Sequence, residues 1–494
     1  MNKEINKVEI INLLKEIKNR VADQVVYIAG GPIRDWLLQR PVSDIDLVIE
    51  KEALIVAKLF ADKNRLPFVL LDEKNEVARV VAKNFTFDFS SYREDAFNIY
   101  DDLSKRDFTI NAMALSLDDA LKNIIQQPGG IILKKVPDTL IDPFQGRVHL
   151  QNKIIKPVAL ENLKKDPLRM LRAYRFMAAF GFKVHEKIFA FILKNNHLIV
   201  NSASERIDYE LEKIMESSRA AKVLRAMHKN RLLEVIIPEV KYMEGVEQPG
   251  FHHLDVLGHL FETLHSIEIL IKEPSVKFEQ DEPFKDWLCS NKKKIPWLKW
   301  AAFMHDFGKP SKKAQREDGR VTFYEHDKEG AQMVKDVAKR LRWPREKERF
   351  VSTLVRLHMR PFHLLNDLRK SGPTKRAMRR LLEHIEKDYP ALFLLAMADS
   401  MAGCGPMKPQ ELDEELAMLF NKLHTFYKRN LTPVQKRPPL LRGNDVLELF
   451  RVEPGPIVGK ALRAIKDAQI EGIISNRKEA VDWLLEHKDE IFEL

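Results

Sequence analysis

Hydrophobic and polar positions change period several times along this chain, and each change predicts an element. Apolar residues at helical spacing among charges predict one leading amphipathic helix over residues 1–24. Val25, Val26, Tyr27 and Ile28 form a β-branched and aromatic run that predicts a short strand. Gly30 and Gly31 follow, where the backbone can turn sharply, and Pro32 suits the first turn of a helix. Asp44 and Asp46 then alternate with Ile45 and Leu47, the period of a strand, so both carboxylates point the same way. A helix is predicted over 52–64, with Ala53, Val56, Ala57 and Phe60 on one face. Strands are predicted at 67–71, 77–81 and 86–89, the third holding Asp88 between Phe87 and Phe89.

Beyond residue 100 the pattern turns helical. Lys105, Arg106 and Asp107 open what reads as a charged helix start, followed by a short apolar segment with Asn111. Over 165–182, Leu168, Leu171 and Phe176 share one face of a predicted helix, while Asp166, Arg169 and Arg172 recur at i, i+3 and i+6 on another. Residues 217–250 are helical and basic, and Pro249-Gly250 marks a domain boundary. Residues 272–299 read as a polar connection containing Lys292, Lys293 and Lys294, either solvated or touching RNA. After a break at 403–409, a helix is predicted over 411–429, another from Asn444, and a last one after Pro454-Gly455-Pro456. No internal repeat or low-complexity tract interrupts the series.

Composition narrows the setting. A chain of 494 residues suits two to four domains. A net charge of +10 favours a polyanionic partner such as RNA. Two cysteines, Cys289 and Cys404, make no disulfide framework and no CxxC pair, which fits a reducing cytoplasm. The leading segment is too charged for a signal peptide, and no apolar run reaches transmembrane length, so a soluble, intracellular protein is expected.

Two constellations carry chemistry. A glycine turn followed by Asp44 and Asp46, with Asp88 on a nearby strand, suggests phosphates on the turn and Mg²⁺ on the acids. Lys105 and Arg106 can offset phosphate charge, and Asn111 can bond a ribose. Further on, His259, the adjacent His305 and Asp306, and Asp399 fall on helices and can converge on one divalent metal of unspecified identity. Such a metal would lower the pKa of a bound water for phosphoester attack. Lys309 follows the His-Asp pair; His326 and His358 either complete a second metal position or bind phosphate.

The order GGPIRD (30–35), DID (44–46), FDF (87–89) with Arg93 and Glu94, and KRDFTINAMAL (105–115) resembles the class II tRNA nucleotidyltransferase and bacterial poly(A) polymerase family. IDPFQGRVHL (141–150) is similar to a short strand hairpin of that family, KDPLRMLRAYRFMAAFGF (165–182) to its nucleotide-selecting helix, and SERIDYEL (204–211) to its next helix start, with Ser204 as N-cap. The likeness covers roughly residues 20–240. The HDxGK run at 305–309, with His259 and Asp399, resembles an HD-superfamily phosphohydrolase domain, and 436–474 is similar to the tail of HD-bearing members.

The resemblance implies an α+β fold: a polymerase-beta-like nucleotidyltransferase head with a mixed sheet, then an all-α body including an HD domain. It implies a head at 1–155, a nucleotide-selecting neck at 156–250, the HD domain at 251–403 and a tRNA-binding tail at 404–494. The implied reaction adds C and/or A to a tRNA 3′ end from CTP and ATP. In it Asp44 and Asp46 hold two Mg²⁺, Asp88 helps activate the 3′-hydroxyl, and Gly30, Gly31 and Arg34 cradle the triphosphate. Lys105, Arg106, Asp107 and Asn111 support phosphate and sugar, and Asp166 and Arg169, with Arg172 beyond them, read the base. Lys165 departs from the pattern, which usually has Glu there to orient the arginine. Tail residues Arg442, Arg451, Lys460, Arg463 and Lys466 grip tRNA or form a solvated face. Poly(A) polymerase, addition of only C or only A, an HD phosphohydrolase with a vestigial head, and an RNA-binding protein with both sites vestigial stay open, as does oligomeric state.

Overall fold

The computed structural model describes residues 8–492 apart from 22, 94, 249 and 371. Residues 1–7 of the expected leading helix, Glu94 and Pro249 therefore lie outside the described residues. The chain divides into two compact units. One runs to Ile214 and includes Ala226–Ile236; the other comprises Met215–Arg225 and everything from Ile237 onward.

The first unit is built on a sheet that α1 (Val8–Arg20) and later helices cover. Its elements follow as β1 (Tyr27–Ala29), α2 (Gly31–Leu37), β2 (Asp44–Ile49), α3 (Ala53–Asn64), β3 (Phe68–Asp72), β4 (Val77–Ala82), β5 (Phe85–Ser91), α4 (Ile99–Ser104) and β6 (Ala114–Ser116). The strand order is β3-β4-β5-β2-β1-β6. β2 and β5 run parallel and every other neighbouring pair antiparallel, so the sheet is mixed. Alternation decides the two faces. Ile45, Leu47 and Ile49 of β2 and Phe85, Phe87 and Phe89 of β5 pack under Ala53, Ala57 and Phe60 of α3. Phe60 meets Phe87 edge-on at 5.6 Å. The other face of the same strands keeps Asp44, Asp46 and Asp88, and the parallel register sets Asp46 directly beside Asp88.

Four expectations in this unit change. The segment after Arg106 does not begin a helix: Thr109–Asn111 is a single 3₁₀ turn, and the apolar run enters the sheet as β6, paired with β1. An edge beside β1 is open there, and a buried apolar strand fills it better than a surface helix would. Residues 141–150 form no hairpin. Ile141 bridges to Ala114 and the chain coils into a helix, Gly146–Gln151, whose first N–H groups donate to Asp142. Asp166 is not on the 168–180 helix but in extended backbone between two helices, Leu160–Lys165 and Leu168–Phe180, where Pro167 forces the break. Ser204 is the first helical residue rather than the N-cap, the Ala203 carbonyl accepting the first helical bond.

The second unit is helical apart from a two-stranded ribbon at Ala314–Gln315 and Val321–Thr322. Helices Val256–Lys272, Ile295–Met304, His326–Arg340, Arg345–Leu357 and Tyr389–Ala402 carry its main core. Residues 272–299 are not a loop. Helix Glu282–Ser290 buries Phe284 and Trp287, and Lys294 is tied to Asp388 at 2.8 Å. A smaller cluster of Leu441, Val446, Ala461, Ile465 and Leu484 organises the C-terminal helices. The helix expected from Asn444 starts at Gly443, with Asp445 bonding back to the Arg442 N–H at 2.6 Å. Arg442, Arg451, Lys460, Arg463 and Lys466 are all exposed. Among the described residues no helix is long and apolar enough to cross a membrane. The architecture is α+β: a mixed-sheet head followed by a helical body.

Candidate functional site

In the first unit the site grows from the turn between β1 and α2. Gly30 adopts φ +80°, and a Cβ there would lie 2.6 Å from Arg106 Nη1 and 3.3 Å from Asp46 Oδ2. The turn is therefore pressed against the acids, which only a glycine permits. Asp44, Asp46 and Asp88 share the face of β2 and β5 opposite the core, Asp44 exposed and the other two partly buried. Thr86 donates to Asp44. Arg79, from β4 opposite Asp88, donates to both oxygens of that carboxylate at 2.7 Å. Among the described residues no hydrogen bond reaches the Asp46 side chain. Burial pushes its carboxyl up to about 6; Arg106 opposes the rise and the Asp88 charge adds to it. An under-coordinated carboxylate beside two further acids and a glycine cradle fits a divalent cation.

Behind the turn lies a network that carries the remaining expected residues. Arg34 donates to Asn111 Oδ1 at 2.7 Å and to Asp35, with its guanidinium 4.8 Å from the Phe180 ring centroid. Asn111 in turn donates to Asp107 at 3.0 Å, so both ends of its amide are engaged within the protein. Asp107 accepts from Arg172 at 2.8 Å and from the Phe108 N–H. Lys105 Nζ donates to the Arg93 carbonyl, and Arg93 and Arg106 both pair with buried Asp102. Asn111, Asp107 and Lys105 thus hold the framework as it stands, rather than standing open. Burial would raise the Asp107 carboxyl, but Arg172, with the bonds from Asn111 and Phe108, holds it well below the usual carboxylate range.

The base-reading candidates sit next to this network. Arg169 donates to the carbonyls of Lys105 at 2.9 Å and Asn162 at 3.3 Å. Asn162, buried, donates its amide to the carbonyls of Ser104 and Arg106, both at 2.8 Å. Asp166 lies 3.8 Å from Arg169 Nε and accepts from Arg206 at 3.2 Å. Sequence pattern alone does not single out Arg79, Asp102, Asn162 or Arg206. Arg79 is within its reach, since it alternates with buried Ala78 and Val80 on a strand next to Asp88. Asn162 and Arg206 are set by partners tens of residues away, and Asp102 by Arg93 and Arg106 only once the chain between them folds back.

In the second unit the histidines and aspartates do converge. His259 lies in helix Val256–Lys272, His305 and Asp306 at the end of Ile295–Met304, His326 at the start of its helix, His358 at the end of Arg345–Leu357, and Asp399 in Tyr389–Ala402. His259 Nε2 is 2.9 Å from Asp399 Oδ1. His305 Nε2 is 3.1 Å from Asp306 Oδ2 and 3.6 Å from Asp399. Lys309 pairs with Asp306 at 2.5 Å and donates to Gln248 at 2.7 Å. His259, His305 and Asp306 offer ligand atoms within 4.8 Å of one another, and so do Asp306, His326 and His358. Buried His305 Nε2 faces both carboxylates, but among the described residues neither contact is aligned as a hydrogen bond. Burial opposes charge on His305, yet Asp306 and Asp399 lift its imidazole to about 10. Burial, with His326 and His305 alongside, pushes His358 down to about 3. A divalent ion fits this donor set of imidazoles and carboxylates. His252, in the FHHLD run, joins the cluster without having been expected there; its ring lies 4.3 Å from that of His259. Gly308 lets the His-Asp turn approach the next helix, since a Cβ there would lie 2.1 Å from the His326 carbonyl oxygen.

Models of four families match the chain in succession. They describe the poly A polymerase head domain (residues 26–156), the "probable RNA and SrmB-binding site of polymerase A" (181–243), the HD domain (256–402) and tRNA nucleotidyltransferase domain 2 (409–484). The A-adding tRNA nucleotidyltransferase of Deinococcus radiodurans is 31% identical over 465 residues, covering 92% of this chain and 93% of that protein. The CC-adding tRNA nucleotidyltransferase of Thermus thermophilus is 28% identical, covering 92% of each. Among solved structures, the Thermotoga maritima CCA-adding enzyme complexed with tRNA superposes with a TM-score of 0.59 at 20% identity, over 98% of this chain and 96% of that one. A CCA-adding enzyme complexed with ATP gives 0.62 at 21% identity, over 100% and 96%. These superpositions show a shared fold, and the identity sustained along almost the whole chain shows more: the chain belongs to the tRNA nucleotidyltransferase family.

Proposed function

We propose that this chain transfers AMP and/or CMP from ATP or CTP to the 3′ end of tRNA. The observation that carries the reading is the register of β2 and β5, which sets Asp46 beside Asp88 under the Gly30 turn. Asp44, Asp46 and Asp88 would hold Mg²⁺, which supplies charge neutralisation at the transferring phosphoryl group. Asp88, oriented by Arg79, accepts the proton of the attacking 3′-hydroxyl. Arg106 and Arg93 bring positive charge to the turn where the triphosphate lies. Arg34 and Asn111 brace that turn from behind.

Base choice belongs to Asp166 and Arg169. The carbonyls of Lys105 and Asn162 orient the arginine from the protein side, the task an acid before Asp166 performs in the wider pattern. Lys165 is therefore compatible with base selection. The matched family spans support a division into head (1–155), neck (156–250), HD domain (251–403) and tail (404–494). The exposed basic residues of the tail suit tRNA phosphates. Action on tRNA and two exposed free cysteines support a reducing cytoplasm.

A second activity is favoured by the convergence in the other unit. His259, His305, Asp306 and Asp399 would hold a divalent metal, and the site would hydrolyse phosphoesters.

The deciding experiment offers purified protein tRNAs ending before CCA, after one C and after two, with an unrelated RNA, and labelled CTP or ATP separately. Addition of only the nucleotides that complete CCA supports the reading. Long A tails on any RNA would make the protein a poly(A) polymerase instead. Two variants probe the assignments. Gly30→Ala places a Cβ against Arg106 at positive φ and should lower addition about 10–100-fold, since misplacement by about 1 Å can cost about 10²-fold; activity within twofold of wild type would remove the turn from the site. Replacing both Asp166 and Arg169 by Ala should cut discrimination of CTP and ATP against UTP and GTP about tenfold or more, each base-edge pair being worth about 1–3 kcal/mol. Unchanged ratios of kcat/KM would place base reading elsewhere.

A further inference from the structure

The free edge of the mixed sheet is apolar on both of its faces. β3 has β4 on one side and, among the described residues, no strand on the other. Val69, Leu70 and Leu71 of β3, with Ile55 and Leu59 of α3, are each between 44% and 56% exposed. The two elements adjoin: Lys58, between Ile55 and Leu59 on the helix, lies over the Phe68 ring at 5.4 Å and pairs with Asp62 at 3.0 Å. Proteins blunt such an edge with charge, or with a proline placed to stop pairing. Here the proline does not stop it. The Pro67 carbonyl accepts from the Val81 N–H at 3.0 Å, so the backbone of Pro67 faces β4. By alternation Phe68 and Leu70 turn their N–H and C=O groups to the open side.

We propose that this edge pairs with the same edge of a second copy of the chain, antiparallel about a two-fold axis at Val69. That register sets Phe68 opposite the partner's Leu70 and Leu70 opposite the partner's Phe68, the residues whose backbone groups face outward. Charge selects the same register. Arg65 and Glu73 lie four positions to either side of Val69, both exposed and, among the described residues, without an ion pair in the chain. Pairing about Val69 sets each Arg65 at the strand end where the partner's Glu73 lies. An axis at Leu70 would instead put Asp72 opposite the partner's Phe68, an acid against an aromatic ring. The contact is isologous and joins the two sheets into one. Phe68 packs on the side that α3 covers, so Ile55 and Leu59 of each copy close over the seam. RNA is a poor occupant here, since these apolar side chains offer phosphates no donor.

The test is sedimentation equilibrium on the full-length protein from micromolar to hundred-micromolar concentration. The expected result is a rise to twice the chain mass. Leu70→Lys sets like charges beside the axis and should weaken association about tenfold or more. Arg65→Glu should weaken it at low salt, and adding Glu73→Arg should restore it. Val69→Cys, with Cys289 and Cys404 changed to Ser, should form a disulfide-linked dimer on oxidation, because directly opposite Cβ atoms lie about 4.5–5.5 Å apart. A monomer at every concentration would overturn the proposal, and a monomer whose Leu70→Lys variant loses tRNA binding would give the edge to RNA. A dimer that ignores Leu70→Lys and leaves Val69→Cys unlinked would place the contact on another face. The concentration series and the Arg65 and Glu73 reversal decide the question even if Leu70→Lys fails to fold.

Discussion

Asp46→Asn, or Asp44→Ala with Asp46→Ala, lowers nucleotide addition by about 10³-fold or more while the head stays folded. The magnitude follows from charge. A cation at the transferring phosphoryl group is worth several kcal/mol, and each 1.36 kcal/mol is about tenfold in rate. The fold survives because alternation places Asp46 on the face of β2 opposite the core residues Ile45, Leu47 and Ile49. Burial already disfavours the ionised form of Asp46, so a neutral amide of the same shape relieves a repulsion with Asp88. Thermal melting should therefore hold steady or rise slightly as activity disappears. Any hydrolysis by the HD centre should continue, and His305→Ala with Asp306→Ala should do the reverse. Addition by the Asp46→Asn protein within tenfold of wild type would mean that the acids of β2 do not hold the catalytic cation.

The largest expected effect on stability is at Asp107. Asp107→Ala leaves Arg172 without its 2.7–2.8 Å partner and strips Asn111 and the Phe108 N–H of an acceptor. Removing one partner of a buried ion pair costs about 3–5 kcal/mol, which at about 2–4 °C per kcal/mol for a unit of this size lowers melting by about 10 °C. Asp107→Asn should fall between, since it keeps an acceptor for Asn111 but not the charge for Arg172. The pH dependence has a fixed sign. A carboxyl held below its unfolded value contributes its full stability above about pH 4 and loses it as pH falls through the folded value. The gap between wild type and Asp107→Ala should thus stay constant from neutral pH down to about pH 5 and close only in stronger acid. A loss under about 1 kcal/mol would show that the network around Asn111 is not structurally coupled to Arg172.

Much of the head is legible in the sequence because strands announce their faces. The alternation of Asp44, Ile45, Asp46 and Leu47, and of Phe87, Asp88 and Phe89, determines which residues go inward before any partner is known. What alternation cannot supply is register. That Arg79 falls opposite Asp88 depends on how β4 slides along β5, and a slip by one residue would turn it to the other face. The run after Arg106 misleads because an apolar segment this short fits a helix or a buried strand equally well. Residues 272–299 mislead for the opposite reason: abundant lysines and glutamates hide Phe284, Trp287 and Trp297, which are buried. In the second unit the residue types are enough to pick out side chains that converge, since the His-Asp pair at 305–306 is followed by Gly308 and Lys309 and flanked by His259 and Asp399 on other helices. How Asp306 shares its oxygens depends on helix ends that no local pattern describes.

Asn162 sets a rule for anyone who would transplant base preference between A-adding and CC-adding relatives. Through its amide and its carbonyl it welds the strip from Ser104 to Arg106 to the loop and helix bearing Asp166 and Arg169. The two segments are one casting. A chimera that imports residues 160–172 alone seats a foreign helix on native carbonyls, and its arginine inherits the wrong tilt. On the base-reading role proposed for Asp166 and Arg169, the module to exchange is the pair of segments together, 104–111 with 160–172.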